Sequence, residues 1–381
     1  MSDAFFPYGR QSVDEDDVAA VSGVLRSDRL TTGPVVRRFE AMLAATAEAA
    51  GARALSSGTA ALHAAYYALD LGPGDEIITS PLTFAATANA ARYLGASVRF
   101  LDVCEDTGNI DAELLDSAIT SRTRAVVPVD YAGHPADYDR IHEVAAARGI
   151  AVVSDAAHSF GATFHGRLVG SLADLTVMSF HPVKAITTAE GGAVLGSDEA
   201  LLDRVGRFRD HGILREPPES RESEGPWYYE ITDLGFNYRL SDVHCALGLS
   251  QLRRLDAFIA RRKEIAAAYT SALSDVDGLI IPAVRTGIEP AWHLYVLRTA
   301  DPRRRRPLFE RLRALGLGVQ VHYIPVYFHP YYRDLGYQRG LCPNAEDFYS
   351  RCLSIPIYPA MTEADVGMSI DRILKAVSET L

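Results

Sequence analysis

Between residues 52 and 197, short unbroken apolar runs alternate with helix-periodic stretches. That alternation restricts the fold more than any other feature of the chain. Strands read over 52–55, 76–80, 97–101, 125–129, 151–154, 175–179 and 192–196. Most of these runs lack the apolar–polar alternation of a half-solvated sheet, so they fit strands covered on both faces. Helical patterns over 59–69, 83–93, 111–118 and 138–147 lie between them. Strands and helices in this order predict an α/β protein with a large, mostly parallel sheet and crossover helices.

The pattern breaks over 207–237. The proline- and charge-rich stretch 216–226 reads as an exposed loop. A long helix is expected over 241–273, with Ser241 as its N-cap and an apolar stripe running from Val243 to Tyr269. Beyond it, strands at 293–298 and 319–323 flank a helix at 303–315. Further helices over 345–352 and 363–378 complete a smaller α+β domain. The arginine run 303–306 reads as a solvated helix start rather than an anion site.

Bulk composition narrows the function. A net charge of −11 argues against nucleic acid as the main partner, although a local pocket on an acidic protein can still be basic. Four scattered cysteines (104, 245, 342, 352) form no Cys-x-x-Cys pair, so neither structural zinc nor a disulfide framework is expected. His322 and His329 lack a third ligand at sensible spacing, and no metal is expected. No signal peptide and no apolar run of membrane-spanning length is visible, which leads us to expect a cytoplasmic protein with no membrane association.

The chemistry concentrates at strand ends. Asp155 follows an apolar strand, where ligands of parallel sheets bind, although a helix N-cap would also use an aspartate there. Lys184 lies 29 residues further on, after one more strand, which brings both residues to the same rim. An amine fixed in this way condenses with aldehydes, and a carboxylate facing a pyridine nitrogen keeps that nitrogen protonated. The order of the two residues points to a pyridoxal phosphate enzyme with Lys184 carrying the cofactor. Ser57-Gly58-Thr59 opens a helix after a strand and reads either as an ordinary cap or as a phosphate cradle; beside Lys184, the cradle is the better reading. No Gly-x-x-x-x-Gly-Lys-Ser/Thr motif is present, which disfavours a nucleoside triphosphatase. Phe84 fits either a cofactor-stacking ring or a core residue.

These motifs resemble the DegT/DnrJ/EryC1/StrS family of nucleotide-sugar aminotransferases over residues 8–377. The resemblance is carried by Ser57-Gly58-Thr59, Asp155-Ala156-Ala157-His158, Ser179-Phe180-His181 with Lys184, Glu190-Gly191-Gly192 and Asn237-Tyr238-Arg239. It implies fold type I of the pyridoxal phosphate-dependent transferases. The large cofactor-binding domain would span 1–250, including an N-terminal arm over 1–15, and the small domain 251–381. Lys184 would form the Schiff base, Asp155 pair with the pyridine nitrogen, Phe84 stack on the ring and His158 lie beside it. Gly58, Thr59 and Ser179 would contact the cofactor, and Asn237 would reach the phosphate of a partner subunit's cofactor in a homodimer that shares its active sites. Tyr8, Asp28, Arg29, Leu30, Thr31, Ser57, Ser179, Asn237, His322, Tyr323, Ile324 and Pro325 match substrate contacts. Asp28-Arg29 departs from the Lys-Gln of one branch member.

Within the family, residues 182–194, 246–252 and 320–325 look like the C4-aminotransferase branch of pseudaminic acid biosynthesis. That branch moves the amino group of L-glutamate to a UDP-4-keto-6-deoxy sugar. Sugar 3-dehydratases on the same scaffold replace the lysine with histidine, so Lys184 argues against them. A ligand-sensing relative would need a DNA-binding module, for which the sequence leaves no N-terminal room.

Overall fold

The computed structural model describes residues 5–214 and 225–380. Most of the exposed loop expected over 216–226 therefore lies outside the described residues. Seven strands form the main sheet: β1 (Gly51–Leu55), β2 (Glu76–Thr79), β3 (Ser97–Phe100), β4 (Thr123–Val127), β5 (Ala151–Asp155), β6 (Leu175–Ser179) and β7 (Gly192–Gly196). Their order across the sheet is β1-β7-β6-β5-β4-β2-β3. Every pairing is parallel except those of β7, which runs antiparallel to both β1 and β6.

Successive residues on a strand face opposite sides of a sheet, and here both sides are buried. Ile77, Val127, Val153 and Val177 enter one core, whereas Ile78, Val126, Val152 and Met178 enter the other. This is why the strands read as unbroken apolar runs. Among the described residues, eleven helices have eight or more residues. Those used below are α1 (Glu15–Leu25), α2 (Pro34–Thr46), α3 (Gly58–Ala68), α4 (Ala86–Tyr93), α5 (Tyr138–Arg148), α6 (Glu199–Phe208), α7 (Asp242–Leu252), α8 (Leu255–Leu273), α9 (Pro302–Ala314), α10 (Pro343–Arg351) and α11 (Glu363–Thr380).

The helix expected over 241–273 is two helices. Ser241 caps the first as anticipated, accepting from the His244 amide. The chain then breaks at Arg253-Arg254, between α7 and α8. Arg254 pairs with Asp14 at 2.7 Å and with Asp17, both at the N-terminus of α1, while Gln251 donates to Asp17 at 2.6 Å. Contacts more than 230 residues apart thus fix the break, and local periodicity carries no trace of them.

A second, three-stranded antiparallel sheet is made of β8 (Leu279–Ile280), β9 (Tyr295–Thr299) and β10 (Cys352–Ile355), in that order. The strand expected at 319–323 does not form. Gln320 makes a single bridge to Ser354, after which His322 and Tyr323 turn into the cavity described below and Pro325 supplies no N–H for a ladder. The arginine run is a solvated helix face: Arg303 pairs with Asp301, and Arg306 with Glu310.

The start of the described chain packs against residues far along the sequence. Phe6 is buried in one core with Leu308, Leu317 and Ile373, and its backbone pairs with Gly316 and Gly318. Two residues on, the Tyr8 carbonyl accepts from the Ile357 amide, and the Tyr8 ring packs against His322.

The rim of the sheet is built around Gly192. It lies opposite Leu55 on one side and Ser179 on the other. A Cβ there would sit 2.5 Å from the Ser57 carbonyl oxygen and 2.6 Å from the Gly58 nitrogen. Only a hydrogen lets β7 slide beneath the Ser57-Gly58 turn. Gly192→Ala is expected to destabilise the fold by about 1–3 kcal/mol, lowering the melting temperature by several degrees. An unchanged melting temperature would contradict this packing.

Candidate active site

Three loops meet at that rim because three strands end there. Ser57 follows β1, Asp155 ends β5, and Lys184 sits in the connection that turns β6 back into antiparallel β7. They open onto a cavity of about 480 Å³ that also takes in Tyr8, Gly58, Thr59, Phe84, Thr87, His158, Ser179, Glu190, His293, His322 and Tyr323.

Asp155 is 5% exposed, and burial raises its pKa. Hydrogen bonds from the Thr87 hydroxyl (2.7 Å) and the Ala157 amide (3.2 Å), together with the Lys184 charge, work in the opposite direction. A buried carboxylate carries a desolvation cost that a cationic partner relieves. Lys184 shows the converse. Burial lowers its pKa to about 8, and Asp155 pulls it partly back.

His158 is held by its Nε2, 3.0 Å from the Tyr323 hydroxyl, with the two rings stacked at 5.9 Å. It also packs against His293, with ring centroids 4.3 Å apart and the rings tilted by 37°. Among the described residues, the Nδ1 atoms of both histidines are buried without a hydrogen-bond partner. His322 bonds Ser354 at 2.9 Å and packs on the Tyr8 ring, and burial lowers its pKa to about 4.

Ser57 caps α3 by accepting from the Ala60 amide, so the positive end of that helix faces the cavity at Gly58 and Thr59. A Cβ on Gly58 would come within 3.1 Å of Ser179. Phe84 is 65% exposed on the cavity wall, a costly position for a free phenylalanine and a suitable one for a ring that covers a flat ligand.

These features fit pyridoxal phosphate. The α3 N-terminus and its hydroxyls suit a phosphate, the buried Asp155 suits a pyridinium, Phe84 offers a stacking face, and Lys184 offers an amine of lowered pKa. Among the described residues there is no cluster of three His, Cys, Asp or Glu side chains suited to a metal. All four cysteines are free.

Not every expected site residue lines the cavity. Asn237 is exposed and bridges to Asp210, away from it. Asp28, Arg29, Leu30 and Thr31 are exposed above the start of α7, where Asp242 accepts from the Gly33 and Val35 amides. Ile324 and Pro325 adjoin the cavity through Tyr323 without lining it. Conversely, the sequence reading did not single out Thr87 or His293. Thr87 lies three positions after Phe84 at the start of α4, a spacing that carried a usable signal. His293 carried none.

The fold and the site together define a pyridoxal phosphate-dependent aminotransferase. The model of the DegT/DnrJ/EryC1/StrS aminotransferase family matches residues 11–377, and the chain belongs to this family. It is a nucleotide-sugar aminotransferase. It is 41% identical to the spore coat polysaccharide biosynthesis protein SpsC of Bacillus subtilis, with 98% of this chain and 97% of that protein covered. It is 37% identical to the UDP-4-amino-4,6-dideoxy-N-acetyl-beta-L-altrosamine transaminase of Campylobacter jejuni, with 98% of this chain and 97% of that protein covered. Among solved structures, the pyridoxal phosphate form of the putative sugar aminotransferase Spr1654 from Streptococcus pneumoniae superposes with a TM-score of 0.93 at 29% identity. That match covers 99% of this chain and all of the other.

The lowered pKa of Lys184 gives a direct test. In the cofactor-free protein, the rate of condensation with pyridoxal phosphate should rise through a midpoint near pH 8, the pH at which the amine becomes neutral. A midpoint near the ordinary lysine value of 10.5 would contradict the burial.

Proposed function

We propose that this enzyme transfers the amino group of L-glutamate to C4 of a UDP-4-keto-6-deoxy-N-acetyl-L-hexosamine. The product would be UDP-4-amino-4,6-dideoxy-N-acetyl-β-L-altrosamine, for pseudaminic acid biosynthesis. The observation that carries this reading is the end-to-end likeness to the Campylobacter jejuni transaminase. A second reading, an amine placed on a different nucleotide-linked keto sugar, is favoured by the likeness to SpsC, a protein named for spore coat polysaccharide.

Bound pyridoxal phosphate supplies an electron sink for the carbon that loses or gains the amine. The protein supplies the rest. The Lys184 Nζ holds and moves the proton at that carbon, and a pKa near neutrality suits an amine that must both accept and donate. Thr87 and the Ala157 amide hold the Asp155 carboxylate in one orientation, so its charge stays fixed behind the reacting centre. The amides and hydroxyls of Ser57, Gly58, Thr59 and Ser179 bind phosphate. Tyr323 fixes the His158 ring through Nε2, keeping a flat wall against the site.

The substrate side is assigned to Tyr8, His322 and Tyr323, which face the cavity from the junction of the two units, with Ile324 and Pro325 beside them. Asn237 and the 28–31 segment are exposed and outside the cavity of one chain. This supports a homodimer in which each subunit lends those residues to its partner's site. We place the division between a large cofactor domain and a small domain near residue 250, next to the break between α7 and α8.

Two measurements test the assignment. Incubation with glutamate and a panel of UDP-, GDP- and dTDP-linked keto sugars, with products identified by mass and NMR, should aminate the UDP-4-keto sugar at C4. Amination of a GDP- or dTDP-linked sugar alone would overturn the pseudaminic reading. Lys184→Ala should lose turnover by several orders of magnitude while still binding the cofactor noncovalently, and substantial turnover in that variant would remove Lys184 from the chemistry.

A further inference from the structure

Arg262, on α8, is fully buried at 1% exposure and is the largest side chain so enclosed among the described residues. Its guanidinium meets carbonyls rather than carboxylates. Nη1 donates to the carbonyls of Ile357 (3.0 Å), Trp292 (3.2 Å) and His293 (3.3 Å), and Nη2 donates to that of Val183 (3.4 Å). Among the described residues, no carboxylate lies within ion-pair distance of it. Burial lowers its pKa to about 10. A buried cation without an anionic partner is costly, and an apolar side chain of similar length would fill the same space without that cost. Packing alone therefore does not account for an arginine here.

What the carbonyls have in common is the cavity. Val183 directly precedes Lys184. His293 packs against His158 with tilted rings and lines the cavity itself. Ile357 donates its amide to the carbonyl of Tyr8, another lining residue, at 3.1 Å. One planar fork thus ties together three wall segments that lie 79, 31 and 95 residues from it in sequence. A lysine at this position would bring a single point donor and could not span them.

We propose that Arg262 is a positioning residue for amino transfer, setting the backbone at Lys184 against the backbone at His293 and at the Tyr8 anchor. This rests on the reading of Lys184 as the reacting amine. Because that amine serves both halves of a transamination, a misplaced Lys184 slows both halves alike. A residue that merely bound one substrate would slow only one.

The test uses Arg262→Lys and Arg262→Met in the full chain. In the cofactor-loaded protein, single-turnover rates for the glutamate half and the keto-sugar half should each fall by about tenfold or more per cofactor-bound site, by similar factors, with KM little changed. Lysine should rescue neither. In the cofactor-free protein, amide hydrogen exchange should quicken in peptides over 181–186 and 291–295, while those over 123–127 and 151–155 stay as in the parent.

Half-reaction rates within twofold of the parent would overturn the proposal. So would a rate loss without local exchange changes, exchange raised evenly through the fold, or failure of both variants to yield folded protein. Lys184→Ala measured alongside separates the two claims. If that variant keeps turnover, the reading of Lys184 fails whatever the Arg262 variants do.

Discussion

A carboxylate withdrawn from water at the end of a sheet strand organises the active site of this protein. Asp155 is buried because β5 is covered on both faces, and a charge in that position needs partners. Thr87 and the Ala157 amide supply hydrogen bonds, and Lys184 supplies a positive charge. The same burial that raises the pKa of Asp155 lowers that of Lys184, so the two groups are tuned in opposite directions by one environment. Bound pyridoxal phosphate would supply a ring cation for Asp155 to pair with and an aldehyde for Lys184 to hold. In this sense the cofactor completes a charge arrangement that the fold has already set up.

The sheet delivers these groups through its one reversal of direction. Antiparallel β7 lies between β1 and β6, so the connection carrying Lys184 begins and ends on the same rim as the Ser57 turn. Gly192 allows the close approach. The N-terminal end of α3 and Lys184 are therefore neighbours in space through backbone packing. Their separation in sequence conceals this.

Much of this was legible in the sequence because the signals were local. Unbroken apolar runs placed all seven main strands to within two residues at each end, and the strand-end motifs that pointed to Ser57, Asp155 and Lys184 fall on one cavity, as does His158, which the resemblance supplied. Long-range contacts escaped that reading. Nothing near Arg253-Arg254 announces a helix break made by α1 carboxylates, and the 319–323 segment looks apolar enough for a strand until its polar side chains turn into the cavity. His293 and Arg262 gave no signal, because their roles arise only when distant loops converge on them. Asn237 and the 28–31 segment were chosen by resemblance, and in a single chain they stand outside the cavity.

The central claim is that Lys184 and Asp155 form an amino-transfer site rather than a binding pocket that happens to hold a cofactor. The most direct measurement adds L-glutamate alone to the pyridoxal phosphate-loaded protein. It follows the absorbance of the bound cofactor and the 2-oxoglutarate released. Conversion of the aldehyde form to the amine form, with about one 2-oxoglutarate released per site, is the predicted result. A spectrum that glutamate leaves unchanged, with no oxoacid released, would contradict it and mark the protein as a ligand binder on an aminotransferase fold.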